Sequence, residues 1–225
     1  MTRGSMLELP VIVVNFKNYE QCYGRRAVEL ARLVEAIARE TGASLAVAPN
    51  NIDLYRVCQA VAIPVFAQHV TDITFGSYTG HVLPEAVKEA GATGTLLNHA
   101  EKARDLQTVR RAVERCRQVG LLSVVCAASM EQSGQFAAMR PDLLALEPPE
   151  LIGGEVSVTT QRELLAAAVA RSGTVPLLCG AGVRSPHDVH AALELGMRGV
   201  LLSSGVVLAE NPRAALTGLA RAVNA

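Results

Sequence analysis

Short apolar runs recur along the chain, and each is followed by a segment whose apolar residues repeat at helical spacing. Eight runs can be counted: Val11–Val14, Leu45–Ala48, Pro64–Ala67, Gly94–Leu97, Ser123–Cys126, Leu143–Leu146, Val175–Cys179 and Val200–Leu202. They are continuously apolar rather than alternating, which indicates strands buried on both faces, as in a parallel sheet covered by helices. The pattern therefore predicts eight strand–helix units.

The segments between the runs carry signals for helix starts and ends. An apolar stripe over residues 27–38 ends at Gly42, and another over residues 106–116 ends before Gly120, as expected of glycine C-caps. Capping residues predict three further helix starts, at Thr160 to Glu163, at Ser185 with Pro186, and at Asn211 with Pro212.

Eight units with no Pro/Gly/Ser-rich linker favour a single (β/α)8 barrel domain over residues 1–225, with an open doubly wound sheet as the alternative. We expect residues 1–6 to be a disordered or cloning-derived start, with the native start at Met6.

Composition limits the classes of partner. The formal net charge is zero, which argues against broad attraction to nucleic acid or an anionic membrane. No apolar stretch approaches the roughly 20 residues of a membrane span, and residues 1–8 lack the apolar core of a signal peptide. The five scattered cysteines suggest buried free thiols in a reducing compartment. We therefore expect a cytoplasmic protein.

Polar residues directly follow five of the predicted strands. They lie in the segments Asn15-Phe16-Lys17, Asn98-His99-Ala100-Glu101, Glu147-Pro148-Pro149-Glu150, Gly180-Ala181-Gly182 and Ser203-Ser204-Gly205. In a barrel, the carboxyl ends of the strands open on one face, where such enzymes build their sites. The pattern predicts that these five segments meet.

Three of these side chains are candidates for chemistry. Glu147 follows a buried strand, where desolvation would strengthen a carboxylate base; alternatively it caps the strand or pairs with an arginine. His99 lies at a strand-to-helix turn, where helix amides favour a neutral imidazole that can donate to a carbonyl, although a structural histidine is the commoner case. Lys17 offers a fixed positive charge to an anionic substrate, or is a surface lysine paired with Glu101.

The glycine-containing segments after the seventh and eighth strands would let backbone amides approach a phosphate, which barrel enzymes often bind at these two loops. Gly180-Ala181-Gly182 lacks the third glycine of a dinucleotide fingerprint. His187 and His190 lie one turn apart at the start of an outer helix, and we predict a solvated face there rather than a metal site.

Together, these motifs resemble the triosephosphate isomerase family in its short archaeal form, from Leu9 to the C-terminus. The resemblance implies interconversion of dihydroxyacetone phosphate and D-glyceraldehyde 3-phosphate through an enediol(ate), with no cofactor and no metal. It makes Glu147 the base and His99 the electrophile, a pairing known for this family. Lys17 would stabilise developing negative charge and Asn15 would place the substrate oxygens.

The resemblance also implies a phosphate site and a lid. The phosphate and adjoining substrate atoms would contact Asn15, Phe16, Lys17, Ile152, Gly153, Gly182, Ser203 and Ser204. Residues 148–154 would form a lid that excludes water, and Glu101 would support Lys17.

The segment Tyr78-Thr79-Gly80 resembles the family's intersubunit loop, in which Thr79 would reach a neighbouring subunit, so a homodimer or homotetramer is implied. One position departs from the family pattern. Ala100 stands where a serine usually lies between the histidine and the glutamate, and that serine can hydrogen-bond the catalytic carboxylate. We therefore expect a working but altered enzyme.

Two alternatives remain open. One is another phosphate-binding barrel, such as an epimerase or an indole-pathway enzyme, although the metal-ligand set expected of a phosphopentose epimerase is missing from the strand ends. The other is a catalytically weakened barrel that binds a sugar phosphate or a partner. The joint presence of Asn15, Lys17, His99 and Glu147 argues against the second alternative.

Overall fold

The described part of the chain forms one parallel sheet of eight strands. The structure is a computed structural model that describes residues 7–148 and 162–224. The strands are β1 (Val11–Asn15), β2 (Ser44–Ala48), β3 (Phe66–Ala67), β4 (Gly94–Leu97), β5 (Leu122–Ala127), β6 (Leu143–Leu146), β7 (Leu177–Cys179) and β8 (Gly199–Leu202). Their order in the sheet is β2-β1-β8-β7-β6-β5-β4-β3.

The two edges of this sheet meet and close it into a barrel. One parallel bridge joins Val47 of β2 to Val65, just before β3, and the Val47 N–H donates to the carbonyl oxygen of Pro64 at 3.1 Å. The predicted (β/α)8 barrel is therefore confirmed, and the doubly wound alternative is wrong. That a single domain spans residues 1–225 stays a prediction.

Helices connect the strands and cover the outside of the barrel. They are α1 (Arg25–Thr41), α2 (Leu54–Cys58), α3 (Pro84–Glu89), α4 (Leu106–Val119), α5 (Met130–Ala137), α6 (Arg162–Ser172), α7 (Pro186–Glu194), α8 (Ser204–Val207) and α9 (Pro212–Val223), with two short 3-10 helices at Glu20–Cys22 and Ala100–Lys102. No helix within the described ranges combines the length and apolarity needed to cross a membrane.

The predicted helix ends are confirmed where the structure describes them. Gly42 and Gly120 cap α1 and α4 in the left-handed conformation, each with φ of 72°. Ser185 begins α7 with a reciprocal capping box, and Asn211 caps α9 by accepting from the Ala214 N–H. The predicted capping box that begins at Thr160 lies outside the described residues.

Two strands are shorter than predicted, and both differences occur at prolines. β3 begins at Phe66 rather than Pro64, and β7 begins at Leu177 rather than Val175. A proline has no N–H to donate to a neighbouring strand. Pro64 and Pro176 therefore contribute only their carbonyl oxygens, and Pro176 accepts from the Leu144 N–H at 2.9 Å.

The apolar core has two layers, which explains why the strand sequences do not alternate. One set of strand side chains packs together inside the barrel: Val11, Val13, Ala46, Ala48, Phe66, Leu96, Val124, Cys126, Leu143, Ala145, Leu178 and Leu201. The other set, including Ile12 and Val14, packs outward against the helices. All five cysteines are free thiols, and Cys58 alone of these is only half-buried.

The backbones of β8 and β1 approach each other closely at Gly199, which provides a test of the packing. It has φ of 131°, and a Cβ there would overlap backbone atoms of Val11 in β1. We expect Gly199→Ala to lower the free energy of unfolding by about 3 kcal/mol, because neither backbone can move without breaking the sheet. Denaturant unfolding followed by circular dichroism measures this change.

Gly134 provides the control. It lies within α5, and a Cβ there would meet no heavy atom within 4 Å. Gly134→Ala should be neutral or stabilising by about 0.5–1 kcal/mol, since alanine favours the helix. Equal stability of the two variants would contradict this account of the β1–β8 contact.

Candidate active site

A pocket opens at the carboxyl ends of the strands, and all five predicted strand-end segments contribute to it. Its lining comprises Asn15, Lys17, His99, Glu147, Gly180, Ala181, Gly182, Val183, Arg184, Leu201, Leu202, Ser203, Ser204 and Gly205. Parallel strands in a closed barrel direct these ends to one rim, so residues distant in sequence become neighbours. Ile152 and Gly153 lie outside the described residues. Phe16 is fully buried, and its N–H donates to Ala48.

Glu147 is buried at the end of β6, with 3% of its surface exposed. Its backbone N–H continues the sheet by donating to the carbonyl oxygen of Ala127 at 2.8 Å. One carboxylate oxygen, Oε1, lies 3.2 Å from Nε2 of His99. The other, Oε2, is buried without a hydrogen-bond partner among the described residues. A buried carboxylate with a spare oxygen is costly to keep for structural reasons alone.

His99 caps the 3-10 helix Ala100–Lys102 through its own ring. Nδ1 accepts a hydrogen bond from the Glu101 N–H at 3.2 Å. The other ring nitrogen, Nε2, faces the carboxylate of Glu147. The predicted histidine and the predicted carboxylate are thus in direct contact.

Lys17 is held in a conformation that non-glycine residues rarely adopt. Its φ is 49°, in the left-handed region, and its backbone N–H donates to Oδ1 of Asn15 at 3.0 Å. Its ammonium group forms an ion pair with Glu101 at 2.7 Å. Strain of this kind persists only where surrounding contacts enforce it.

Gln68 supplies those contacts, and the sequence analysis did not identify it. Its side-chain amide nitrogen lies within donor distance of Asn15 Oδ1 (3.2 Å), the Lys17 carbonyl oxygen (3.0 Å) and the Ala48 carbonyl oxygen (3.1 Å). Gln68 directly follows β3, so its position at a strand end was a signal that could have found it.

The turn before His99 is fixed in a similar way. Asn98 also has a left-handed backbone, with φ of 57°. Its Oδ1 accepts from the Arg104 N–H at 2.8 Å, and its Nδ2 donates to the carbonyl oxygen of Cys126 at 2.9 Å. These bonds attach the histidine turn to the end of β5.

Cys126 and Gly180 lie close to the Glu147 side chain. The sequence predicts Gly180 only as part of the phosphate segment and gives Cys126 no role in the site. Burial, followed by the charge of Glu147, raises the pKa of the Cys126 thiol well above its usual value. A Cβ at Gly180 would overlap Cγ of Glu147. Ala100, where the family pattern has serine, is exposed and offers no hydroxyl.

The loops after β7 and β8 form another part of the pocket lining. Gly182 has φ of 73°, which glycine adopts without strain. Ser203 precedes the single turn of α8, and its hydroxyl is buried without a partner in residues 7–148 and 162–224. An unpaired buried hydroxyl beside an open pocket is suited to a polar ligand.

Thr79 lies in an exposed loop away from this pocket. In the same loop, Phe75 is 73% exposed and Tyr78 is 45% exposed. Two arginines of α4 hold its base, Arg111 through Asp72 at 2.6 Å and Arg115 through the Ile73 carbonyl oxygen at 2.9 Å. The loop is thus anchored at its base while its apolar tip is uncovered.

Comparison with known proteins identifies the family. The triosephosphate isomerase family model matches residues 10–222. Triosephosphate isomerase of Methanosarcina barkeri is 44% identical over 220 residues, covering 96% of this chain and 99% of that protein. The enzyme of Methanocaldococcus jannaschii is 41% identical over 214 residues, covering 93% and 98%.

A solved structure agrees on the fold. The crystal structure of triosephosphate isomerase from Bartonella henselae superposes with a TM-score of 0.74 at 17% identity, covering 96% of this chain and 99% of that one. At this identity the likeness concerns the barrel alone. The family model and the archaeal relatives carry the assignment further: the chain belongs to the triosephosphate isomerase family, in its archaeal type, and is an isomerase.

Proposed function

We propose that this isomerase interconverts dihydroxyacetone phosphate and D-glyceraldehyde 3-phosphate through an enediol(ate). The observation that carries the proposal is the 3.2 Å contact between Glu147 Oε1 and His99 Nε2 at the pocket floor. The archaeal relatives bear the name of this activity. A carboxylate base beside a neutral N–H donor is what proton transfer next to a carbonyl requires.

Each side chain has a distinct role in the proposed reaction. Glu147 takes a proton from one substrate carbon and returns it to the adjacent carbon. The His99 Nε2–H turns from the carboxylate to the substrate oxygens and polarises them. Lys17 stabilises the negative charge that develops there, while Asn15 positions the oxygens. No metal or cofactor is needed for this proton movement.

The phosphate is assigned to the far end of the pocket. Gly182, Ser203 and Ser204 line that end, and the unpaired Ser203 hydroxyl supports this placement. Ile152, Gly153 and the rest of the lid at 148–154 would complete it, although the chain is described only as far as Pro148 in that loop.

The buried, incompletely hydrogen-bonded Glu147 favours catalysis over a barrel that only binds a ligand. Keeping such a carboxylate lowers stability, and a binding protein gains nothing from it. A coupled assay with purified protein and glyceraldehyde 3-phosphate tests the activity directly. Absence of turnover would favour the binding-only alternative.

Replacing the proposed base tests the mechanism. Glu147→Gln keeps the side-chain size but removes the proton acceptor, so kcat should fall by about a thousandfold or more. Inhibition by inorganic phosphate should be unchanged, because the phosphate end of the pocket is untouched. Steady-state kinetics measure both quantities.

Glu131→Gln is the matched control, since Glu131 is exposed at the start of α5. It should retain full kcat. Activity of the Glu147→Gln enzyme at the level of this control would remove Glu147 from the mechanism.

Restoring the missing hydroxyl tests the departure at position 100. In Ala100→Ser, a serine that donates to Glu147 would favour the ionised carboxylate, so the acidic limb of the kcat/KM profile should move to lower pH. Ala103→Ser adds a hydroxyl at another exposed position nearby and should leave the profile in place. If the two variants behave alike, the hydroxyl has no contact with the base.

We further propose that the chain self-associates as a homodimer or homotetramer through the exposed loop containing Thr79, and that it works in the cytoplasm. The uncovered apolar side chains of Phe75 and Tyr78 support the first proposal, since a loop tip with two exposed aromatic residues suits a protein contact. The free cysteines suit a reducing compartment.

Light scattering after size exclusion tests the assembly. The wild-type mass should be twice or four times the 23.8 kDa of one chain. Tyr78→Asp places a charge in the apolar contact and should shift the mass toward one chain, whereas Leu208→Asp, at a similarly exposed leucine outside the loop, should not. A wild-type monomer would contradict the proposal.

A further inference from the structure

Arg184 lines the pocket beside Gly182 and Ser203. It directly follows the segment Gly182-Val183 in the turn between β7 and α7. Its backbone N–H donates to Oδ2 of Asp188 at 3.0 Å, within the capping box that begins α7. The start of α7 therefore fixes the position of the Arg184 backbone. The residue itself is exposed to solvent at the edge of the pocket.

The charges around the pocket distinguish Arg184 from the other cation there. Lys17 is paired with Glu101 at 2.7 Å. Within residues 7–148 and 162–224, Arg184 forms no ion pair with a carboxylate. The remaining charged side chain of the lining, Glu147, is buried, and its Oε1 contacts His99. The charge of Arg184 is thus available to an incoming anion.

We propose that Arg184 is a phosphate-binding residue, whose guanidinium contacts the phosphate group of the substrate alongside the backbone of the Gly182 and Ser203 loops. A planar guanidinium can donate two parallel hydrogen bonds to phosphate oxygens, which a lysine cannot reproduce. The inference rests on the proposed function for the identity of the substrate, but not for the presence of an anion site.

The position of Arg184 determines which kinetic constant it affects. The phosphate takes no part in the proton transfer, and we expect its contact with an exposed arginine to be equally strong in the bound substrate and in the transition state. Such uniform binding lowers KM without raising kcat. A residue that acted on Glu147 or His99 would change kcat instead.

Three variants test the proposal with glyceraldehyde 3-phosphate as substrate and inorganic phosphate as competing ligand. Arg184→Gln should raise KM about tenfold, raise the inhibition constant of phosphate by a similar factor, and leave kcat within about twofold. Arg184→Lys retains the charge and should recover part of this loss. Arg198→Gln removes an exposed arginine between α7 and β8, at the amino-terminal end of the strands, and should behave as wild type.

Each outcome decides the proposal. If Arg184→Gln shows the KM and phosphate inhibition of Arg198→Gln, or if it loses kcat with KM unchanged, Arg184 does not bind the phosphate. If the wild-type chain does not turn over the triose phosphate, the proposed function fails, and calorimetric titration with inorganic phosphate still separates the two questions. Weaker phosphate binding by Arg184→Gln than by Arg198→Gln would then support the anion site alone.

Discussion

Closure of the sheet between β2 and β3 is the constraint on which the site depends. In an open sheet, β1 and β6 would direct their ends to places too distant for one substrate, and Asn15 and Glu147 could not share a pocket. The bridge between Val47 and Val65 removes both edges and brings the strand ends to one rim. The distances within the site follow from this geometry together with the local turns.

Those local turns carry strain and unpaired polar groups at the places where the chemistry is proposed. Lys17 and Asn98 both have left-handed backbones, and both Glu147 Oε2 and Ser203 Oγ are buried without partners among the described residues. Each feature lowers stability, and the two apolar layers of the barrel offset that loss. Lys17, Glu147 and Ser203 line the same pocket, where features that lower stability are expected of a site shaped for a ligand rather than for folding.

The architecture and the candidate residues that bear chemistry could be predicted from the sequence. The residues that hold those candidates in place could not. Continuous apolar runs specify strands because burial on both faces leaves little choice of residue. The two predicted runs that begin before the observed strands, which start at Phe66 and Leu177, contain prolines. Gln68 and Cys126 were not identified, because a glutamine and a thiol have ordinary structural roles, and Gly180 was predicted only as part of the phosphate segment, not as a neighbour of Glu147. Their importance depends on distances between strands, which periodicity along one chain does not encode.

The amide of Gln68 has a consequence for how heat would affect this enzyme. From a position just after β3, it donates to the carbonyl oxygens of Ala48, at the end of β2, and of Lys17. It therefore spans the seam between β2 and β3, which is otherwise closed by the single bridge from Val47 to Val65. Local opening of this seam would release the lysine backbone from its left-handed conformation while the other strand pairs remained intact. Thermal inactivation would then begin as a local, reversible loss of substrate affinity, at temperatures below those that unfold the barrel.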